Sequence, residues 1–309
     1  MKKWMLKAAA QKFISLLPFT QQTNQLLQKY VTKRTSITDV FFTDKLIHVQ
    51  KHLQYFFKYS NLKNEFTTLE LGTGRYPIIP ICMYLSGANK IYSVDINDMT
   101  SADKIKQTII RINKSYEDGV LQQYITVDKS RLTKLNDLLV IDNEQQFNDA
   151  FHSLGFLFLL EDINKSKIEM HSIDLLHSNN TFEHIAPNDL KHMMTTFKLL
   201  LKPSGLMSHF IDMTDHFSHF DKSISVFNYL KYSPKKWQLI DNNILPQNRL
   251  RITDFRNLFE QNNFEVLIEE NNNGPIAELQ AMHIDTAFKH YTEKDLLVCH
   301  SYMVVRQKN

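Results

Sequence analysis

The segment 68–77, Thr-Leu-Glu-Leu-Gly-Thr-Gly-Arg-Tyr-Pro, constrains the fold of this chain more than any other part of the sequence. A short apolar run that leads into a glycine pair is typical of a buried strand followed by a tight loop. The 309 residues include only seven glycines, and two of them, Gly72 and Gly74, lie here. Glycine is chosen where φ must be positive or where backbone must approach another group closely. The segment therefore predicts a strand-loop-helix unit with a ligand near its backbone.

Strand-like and helix-like patterns alternate from residue 66 onwards, which predicts an α/β fold with a mostly parallel sheet. Strands are expected at 67–71, 90–94, 155–160, 172–177, 206–211, 264–269 and 296–305. Helices are expected between them at 77–85, 187–201 and 252–261. Three more helices are expected before the sheet, at 1–17, 21–33 and 44–59, with Thr43 as the N-cap of the third.

Two segments are longer than connections in an α/β sheet need to be, and we interpret them as helical insertions at about 103–153 and 212–248. We therefore divide the chain into an N-terminal helical extension or lid, 1–62, and an α/β domain, 63–309, that carries both insertions. The aromatic residues of the second insertion are expected to pack against one another, as large apolar side chains usually do.

Cysteine usage and apolar runs place the chain in a cytoplasmic setting. Cys82 and Cys299 both lie in apolar runs and form neither a disulfide framework nor a zinc-binding spacing. No apolar run is long enough to span a bilayer, and Lys7 and Lys12 interrupt the one stretch that begins like a signal peptide. We expect a cytoplasmic protein.

The first 38 residues hold seven basic residues and no acidic one, so the rest of the chain is acidic overall. A basic amphipathic arm of this kind can dock on a membrane surface or another polyanion. The alternative is a solvated helix that packs on the body through Trp4, Phe13 and Leu17. The sequence leaves both open.

The spacing of the glycine loop separates two cofactors that contain adenosine. The dinucleotide-binding fingerprint needs a third glycine three residues after Gly74, and Pro77 occupies that position. Glu70, two residues before the first glycine, suits a cationic ligand instead. The amino and sulfonium groups of S-adenosylmethionine are both cationic, so the loop favours this cofactor over NAD.

Acidic and polar residues follow the next expected strands. Asp95 ends the second strand about twenty residues beyond the loop, where a carboxylate can bind ribose hydroxyls; an ordinary turn is the alternative, and the glycine loop upstream favours the ribose. Asp162 follows the third strand and could accept from an adenine amino group or cap a helix. The run 174–185 places polar groups at the end of the fourth strand.

These motifs, in this order and with the Lys-Pro-Ser-Gly turn at 202–205, resemble class I S-adenosylmethionine-dependent methyltransferases over residues 66–267. The resemblance implies a Rossmann-like three-layer sandwich with a seven-stranded sheet whose last strand is antiparallel. It also implies that the methionine part of the cofactor lies by the loop, the ribose at Asp95, the adenine at Asp162 and the methionyl edge by the end of strand four. The cofactor-binding residues implied are Glu70, Gly72, Thr73, Gly74, Tyr76, Asp95, Ile96, Asp162, Ser178 and Asn179.

The chain departs from the family pattern in two places. Tyr76 stands where the third glycine of the family loop is common, and a tyrosine there would narrow the cleft or face the sulfonium or the substrate. The tetrapeptide typical of amino-methylating enzymes for nucleic acids and proteins is absent at 178–181. This absence disfavours a DNA base or a glutamine side chain as the acceptor.

A histidine-rich run, 208–221, supplies candidates for the acceptor side of the reaction. His216 and His219, followed by His184, are the candidate catalytic residues, because imidazole can act as a general base near neutral pH. His209 lies within a strand and is expected to belong to the core. Histidines and carboxylates at these spacings could also converge on a metal, although no metal ligand is assigned from the sequence.

The resemblance predicts methyl transfer from S-adenosylmethionine to a small or medium-sized acceptor through an oxygen or nitrogen atom. Two alternatives stay open: a nucleic-acid or protein methyltransferase, and a methyltransferase-fold protein that binds a partner without catalysis. The sequence shows no separate recognition module, so a nucleic-acid partner is disfavoured and a small-molecule substrate is expected.

Overall fold

A computed structural model describes residues 3–15, 37–98 and 100–308. Its strands are β1 (Phe66–Leu71), β2 (Ala88–Asp95), β3 (Phe156–Leu160), β4 (Ile173–Asn179), β5 (Leu201–Asp212), β6 (Phe264–Asn273) and β7 (Val298–Gln307). Within the described residues they form one sheet in the order β3-β2-β1-β4-β5-β7-β6. β7 runs antiparallel to β5 and β6, and the other pairings are parallel. The expected seven-stranded sheet with an antiparallel last strand is confirmed.

The helices of the described residues cover both faces of this sheet. They are α1 (Lys3–Ser15), α2 (Asp39–Tyr59), α3 (Ile78–Leu85), α4 (Ala102–Glu117), α5 (Lys129–Asp137), α6 (Glu144–Ser153), α7 (Pro187–Leu200), α8 (Pro234–Ile240), α9 (Ile252–Gln261), α10 (Ile276–Gln280) and α11 (Glu293–Leu297). None of them is both long and apolar enough to span a membrane. The helix expected at 21–33 lies outside the described residues.

Adjacent residues of the central strand β4 show how the layers are built. Leu175 packs in an apolar cluster with α2 to α6, whereas Leu176 packs in a second cluster with α7 and α9. Successive side chains of a strand point to opposite faces of the sheet, so each strand contributes to both cores. The result is the expected Rossmann-like three-layer sandwich.

Several boundaries differ from those expected. α2 begins at Asp39 rather than residue 44, because Thr38 and not Thr43 is its N-cap; the Thr38 side chain accepts a hydrogen bond from the N–H of Phe41. The turn expected at 202–205 is part of β5, and the pairing of β5 with β4 shifts its register there, after Ile173. β7 begins at Val298 rather than residue 296, since Thr292 caps the short helix α11 that precedes it.

The segment expected as one long helical insertion, 103–153, contains three separate helices, α4 to α6. Their apolar residues, such as Ile109, Leu135 and Phe147, are fully buried in the first core cluster. The segment therefore covers one face of the sheet. The division of the chain at residue 62 and the role of the extension as a lid stay predictions.

The second insertion forms a small core together with α1 and the segment 279–299. Phe227, Tyr229 and Trp237 are buried, as expected for packing residues, and Trp4 joins them with its ring 5.6 Å from that of Phe217. The backbone N–H of Trp4 also donates to a carboxylate oxygen of a buried aspartate in this insertion, across 3.1 Å. Helix α1 is thus attached to the second insertion.

The basic residues of α1 are partly used in this packing. Lys12 donates to the carbonyl groups of Gln238 and Asp241, at 3.0 and 2.8 Å, at the end of α8. Phe13 is exposed, and Leu17 lies outside the described residues. Docking of this arm on a membrane or polyanion stays a prediction.

Candidate active site

The glycine loop connects β1 to α3 and uses its two glycines for different purposes. Gly72 has a φ of 80°, and a Cβ on it would lie 2.6 Å from the hydroxyl oxygen of Thr181. Gly74 has a φ of 70°, and a Cβ there would meet no atom within 4 Å. Both positions need the left-handed conformation that glycine tolerates. Gly72 thus lets the end of β4 pack on the loop, and only Gly74 opens toward free space.

Asp95 fastens this loop to the end of β2. Its Oδ2 accepts a hydrogen bond of 3.0 Å from the N–H of Gly74, and its Oδ1 accepts one of 2.9 Å from the N–H of Asn97. The hydroxyl of Thr100 donates to the carbonyl of Gly74 across 2.7 Å. Asp95 therefore forms the turn considered from the sequence and also lies directly against the glycine loop.

A cleft of about 490 Å³ lies beside this turn, within the size range of small-molecule sites. Its walls come from the glycine loop, the ends of β2 and β3, and helix α6, and they include Thr73, Gly74, Ser93, Asp95, Phe151 and Phe158. Ile96 is 72% exposed next to Asp95. The cleft combines aromatic walls with a few polar groups, as sites for nucleosides require.

Glu70 is the acidic residue at the end of β1, and it is only 3% exposed. Burial raises the pKa of Glu70 to about 8. Its Oε2 atom has no hydrogen-bond partner within the described part of the chain. An unpartnered buried carboxyl oxygen is costly unless a cation or donor pairs with it. Glu70 therefore fits a ligand that brings a positive charge to the loop.

The end of β4 is held by a buried histidine that the sequence did not point to. His52 of α2 donates through Nε2 to Oδ1 of Asn179 across 2.9 Å, and the hydroxyl of Ser208 donates to its Nδ1 across 2.7 Å. Burial lowers the pKa of His52 to about 3, so the ring is neutral and can accept at Nδ1. The amide nitrogen of Asn179 has no partner among the described residues. His52 thus orients an amide whose donor side is available to a ligand.

Ser178 precedes Asn179 in β4, so its side chain points to the other face of the sheet. Its hydroxyl and Nδ1 of His209 share a hydrogen bond of 2.8 Å, and both side chains are fully buried. Burial lowers the pKa of His209 to about 3. The expectation that His209 belongs to the core is confirmed by this burial.

Two other residues expected at the cofactor lie in different surroundings. Asp162 accepts a hydrogen bond of 3.0 Å from the N–H of Asn164, which caps the short turn 163–165, and it is not among the described residues that line the cleft. Tyr76 is 9% exposed and packs with the first core cluster. The structure thus brings Thr73, Gly74 and Asp95 together at one cleft and leaves Asp162 outside its walls.

A second polar group lies at the ends of β5 and β7, around Asp212. Oδ2 of Asp212 is 3.5 Å from Nε2 of His216 and 3.8 Å from Nε2 of His219, and its Oδ1 is 3.5 Å from Nε2 of His300. The hydroxyl of Thr214 donates to the same Oδ1 across 2.6 Å. Burial opposes ionisation, but His216, His300 and Thr214 together hold the pKa of Asp212 well below its usual range.

Glu183 and His184 extend this group from the loop after β4. The rings of His184 and His216 are 4.9 Å apart, and those of His216 and His219 are 5.5 Å apart. Burial and the charge of Asp212 raise the pKa of Glu183 well above its usual range. The three candidate catalytic histidines therefore lie together, beyond the carboxyl ends of β4 and β5, where ligands of open α/β folds bind.

The sequence analysis missed two members of this group. Glu183 lies within the polar run 174–185, where its position directly before a candidate histidine could have identified it. His300 lies opposite Asp212 only because of the antiparallel register between β5 and β7. No local signal in the sequence could have identified His300.

One comparison with known proteins identifies the family of this chain. A family model described as a methyltransferase domain matches residues 45–269, more than two thirds of the chain. A search among curated proteins found no match. The match to the family model shows the family of this chain.

Several solved structures resemble the fold. The PH0226 protein from Pyrococcus horikoshii OT3 is 14% identical, with 91% of this chain and 98% of that chain covered and a TM-score of 0.48. An S-adenosylmethionine-dependent methyltransferase from Mesorhizobium loti is 13% identical, with 82% and 96% covered and a TM-score of 0.44. Magnesium protoporphyrin IX methyltransferase from Synechocystis PCC 6803, solved with bound SAH, is 10% identical, with 93% and 94% covered and a TM-score of 0.45.

Proposed function

Because this chain belongs to the class I S-adenosylmethionine-dependent methyltransferases, we propose that it methylates a small or medium-sized acceptor through an oxygen or nitrogen atom. S-adenosylmethionine is the methyl donor of the protein. When bound, this cofactor supplies a methyl group already activated by the sulfonium. The protein then has to position donor and acceptor and exclude competing water.

The residues at the glycine loop fit the cofactor by their chemistry. The unpartnered Oε2 of Glu70 can accept a hydrogen bond from the amino group and becomes anionic when the carboxyl group releases its proton, and the amide nitrogen of Asn179 offers a hydrogen-bond donor for the carboxylate. Asp95 lies at the cleft with two carboxylate oxygens that can each accept a further hydrogen bond from ribose hydroxyls. Ile96 supplies an exposed apolar surface for the adenine. We therefore assign S-adenosylmethionine to this loop and the adjoining cleft.

Burial of the second polar group is the observation that supports a small acceptor. Asp212 is 6% exposed and Glu183 is 2% exposed, and the N–H of Asn248, at the end of the second insertion, donates to the carbonyl of Glu183 across 2.9 Å. A side chain of a folded protein or a paired nucleic-acid base reaches such groups only after being extracted from its own structure. A small molecule can pass the exposed His219 and reach Asp212 and Glu183 directly, so the burial of these two carboxyl groups favours a small-molecule substrate over a macromolecule.

His219 is the residue to which we assign the general base. The single hydrogen of the Thr214 hydroxyl goes to Asp212, so the Thr214 oxygen accepts from Nε2–H of His219 across 3.0 Å. That leaves Nδ1 of His219 with a free lone pair. The ring is 55% exposed, so it can be reached by an acceptor. A base oriented by a second group in this way is the arrangement that proton transfer requires.

The proposal is tested by methyl transfer from labelled S-adenosylmethionine to fractionated cell extracts. We expect label in the small-molecule fraction and none in the RNA, DNA or protein fractions. Label in a macromolecular fraction alone would support the nucleic-acid or protein alternative. Binding of S-adenosylhomocysteine without transfer to any fraction would support the non-catalytic alternative.

Once an acceptor is found, His219→Asn tests the base. We expect its kcat to fall by about two to four orders of magnitude, with unchanged affinity for S-adenosylhomocysteine. His192→Asn is the matched control, because His192 is exposed on α7. An unchanged kcat in His219→Asn would remove this residue from the proton-transfer step.

A further inference from the structure

Glu183, His184 and His216 come from two loops that are separated by more than thirty residues and meet in space. Glu183 and His184 follow β4, whereas His216 follows β5. One potential ligand atom from each lies within 4.8 Å of the others. Two ligands on one metal ion with bonds of about 2.1 Å are at most about 4.2 Å apart, so small side-chain rotations would close the set around an ion.

Glu183 is the residue that most needs a cation. It is 2% exposed, and neither of its carboxyl oxygens has a hydrogen-bond partner within the described residues. A buried carboxyl group without partners costs free energy that packing alone does not return. The buried carboxylate of Asp212 lies 3.5 Å from Nε2 of His216, which adds negative charge to the same place.

The two histidines present the atoms that a metal would need. Nδ1 of His184 donates to the carbonyl of Pro246 across 2.7 Å, which leaves the lone pair on Nε2. Metal-binding histidines commonly fix their ring through such a bond from the other nitrogen to a carbonyl group. Nε2 of His216 has no hydrogen-bond partner in the described parts of the chain. The His184 ring is therefore oriented without using Nε2, and Nε2 of His216 lies 3.5 Å from Oδ2 of Asp212 without a hydrogen bond that would block an ion.

We propose that Glu183, His184 and His216 bind a divalent first-row transition metal ion next to the acceptor. Two imidazoles and one carboxylate favour zinc, manganese or iron over magnesium, which prefers oxygen ligands. Three protein ligands leave coordination positions open. On the basis of the proposed function, the open positions bind oxygen atoms of the acceptor, so the acceptor belongs to the class of molecules with neighbouring hydroxyl or carbonyl oxygens.

The ion site is tested on the full-length protein, without donor or acceptor, after dialysis against a chelator. We expect one equivalent of Zn²⁺ by calorimetry and visible absorption bands when Co²⁺ is added. Glu183→Gln, which keeps the shape of the side chain, and His184→Gln should each weaken Zn²⁺ binding by at least about tenfold. His300→Asn is the matched control, since His300 contacts Asp212 but lies outside the ligand set.

Thermal unfolding with S-adenosylhomocysteine confirms that each variant is folded, and His184→Gln provides a second test if Glu183→Gln is unstable. Absence of a Zn²⁺ site in the unchanged protein, or equal Zn²⁺ affinity in all variants, would overturn the proposal. Because the readout is metal binding, it is independent of methyl transfer. Zn²⁺ binding without transfer to any acceptor would leave the ion site standing and contradict the proposed function alone.

Discussion

The carboxylate of Asp95 accepts a hydrogen bond of 3.0 Å from the backbone N–H of Gly74, which joins the end of β2 to the loop after β1. Gly74 is the glycine of this loop that faces open space, so the bond places a charged side chain directly at the wall of the cleft. The conformation of the loop and the position of the carboxylate that we propose to bind the ribose are therefore coupled.

The first prediction concerns this carboxylate. Asp95→Ala should weaken the binding of S-adenosylhomocysteine by at least about tenfold, because hydrogen bonds to a charged group contribute about 1.5–3 kcal/mol. Calorimetric titration measures the affinity, and thermal unfolding shows that the fold is intact. Asp149→Ala, on the exposed face of α6, should bind as the unchanged protein does. Equal affinities of the two variants would remove Asp95 from the site.

The two glycines of the loop should respond differently to alanine. Gly72→Ala should lower the free energy of unfolding by more than about 2 kcal/mol, because the strain of a positive φ adds to a collision with Thr181. Gly74→Ala should cost only about 1 kcal/mol of strain, and its methyl group should weaken binding of S-adenosylhomocysteine. Urea denaturation measures the change in the free energy of unfolding of each variant, and calorimetric titration measures the binding. Adding Thr181→Ala to Gly72→Ala should restore part of the loss, and no restoration would contradict this account of the contact.

Glu70 should make cofactor binding depend on pH. Its pKa of about 8 in the free protein means that the carboxyl group holds a proton at neutral pH. A cationic ligand pairs with the ionised form, so affinity for S-adenosylmethionine should rise as pH increases from 6 to 8 and then level off. Calorimetry in buffers of different ionisation enthalpy should show release of up to about one proton at pH 7. Glu70→Gln should bind more weakly and release none; equal proton release would contradict the assignment.

The same residue should make stability depend on pH in the opposite sense. Because burial raises the pKa of Glu70 from 4.5 to about 8, the folded state holds the proton more tightly than the unfolded state. Its contribution to the free energy of unfolding is therefore present below pH 4.5 and is lost as pH rises to 8. The difference in urea midpoint between Glu70→Gln and the unchanged protein should shift in favour of the variant over this window. A constant difference would show that Glu70 is not titrating there.

Arg251 should tolerate substitution poorly. It is fully buried, and its guanidinium donates to the carbonyl groups of Met213 and Leu296, each at 2.7 Å, and also to the carbonyl of Val298 and the hydroxyl of Tyr229. Lysine cannot reproduce this forked geometry, so Arg251→Lys should lower the free energy of unfolding by at least about 2 kcal/mol. The measurement is urea denaturation.

Arg306→Lys is the matched control for this change. Arg306 pairs with Glu265 on the surface, where both side chains are 41% exposed. A surface pair contributes at most about 1 kcal/mol, and lysine can keep part of it. Similar losses in Arg251→Lys and Arg306→Lys would show that the buried network has no special weight.

The part of the fold that the sequence predicted depends on short-range signals. The alternation of strands and helices, the glycine loop and Asp95 were identified because backbone conformation responds to neighbours a few residues away. Some element boundaries were predicted wrongly for the same reason, because only short-range signals were available to place them. Thr38 and Thr43 are both acceptable N-caps locally, and the turn at 202–205 becomes part of a ladder only when β4 pairs with it.

The sequence alone determined the fold class, the cofactor and the loop that carries Gly72 and Gly74, because these follow from local chemistry. Tertiary structure decided what each residue touches: Gly72 is required by Thr181, more than a hundred residues away, and Asn179 is oriented by His52 from a helix before the sheet. The meeting of Glu183 with His216 depends on loop packing, and that of Asp212 with His300 on strand register. A shift of one residue in that register would turn His300 to the other face of the sheet, and no pattern along the chain encodes such a distance.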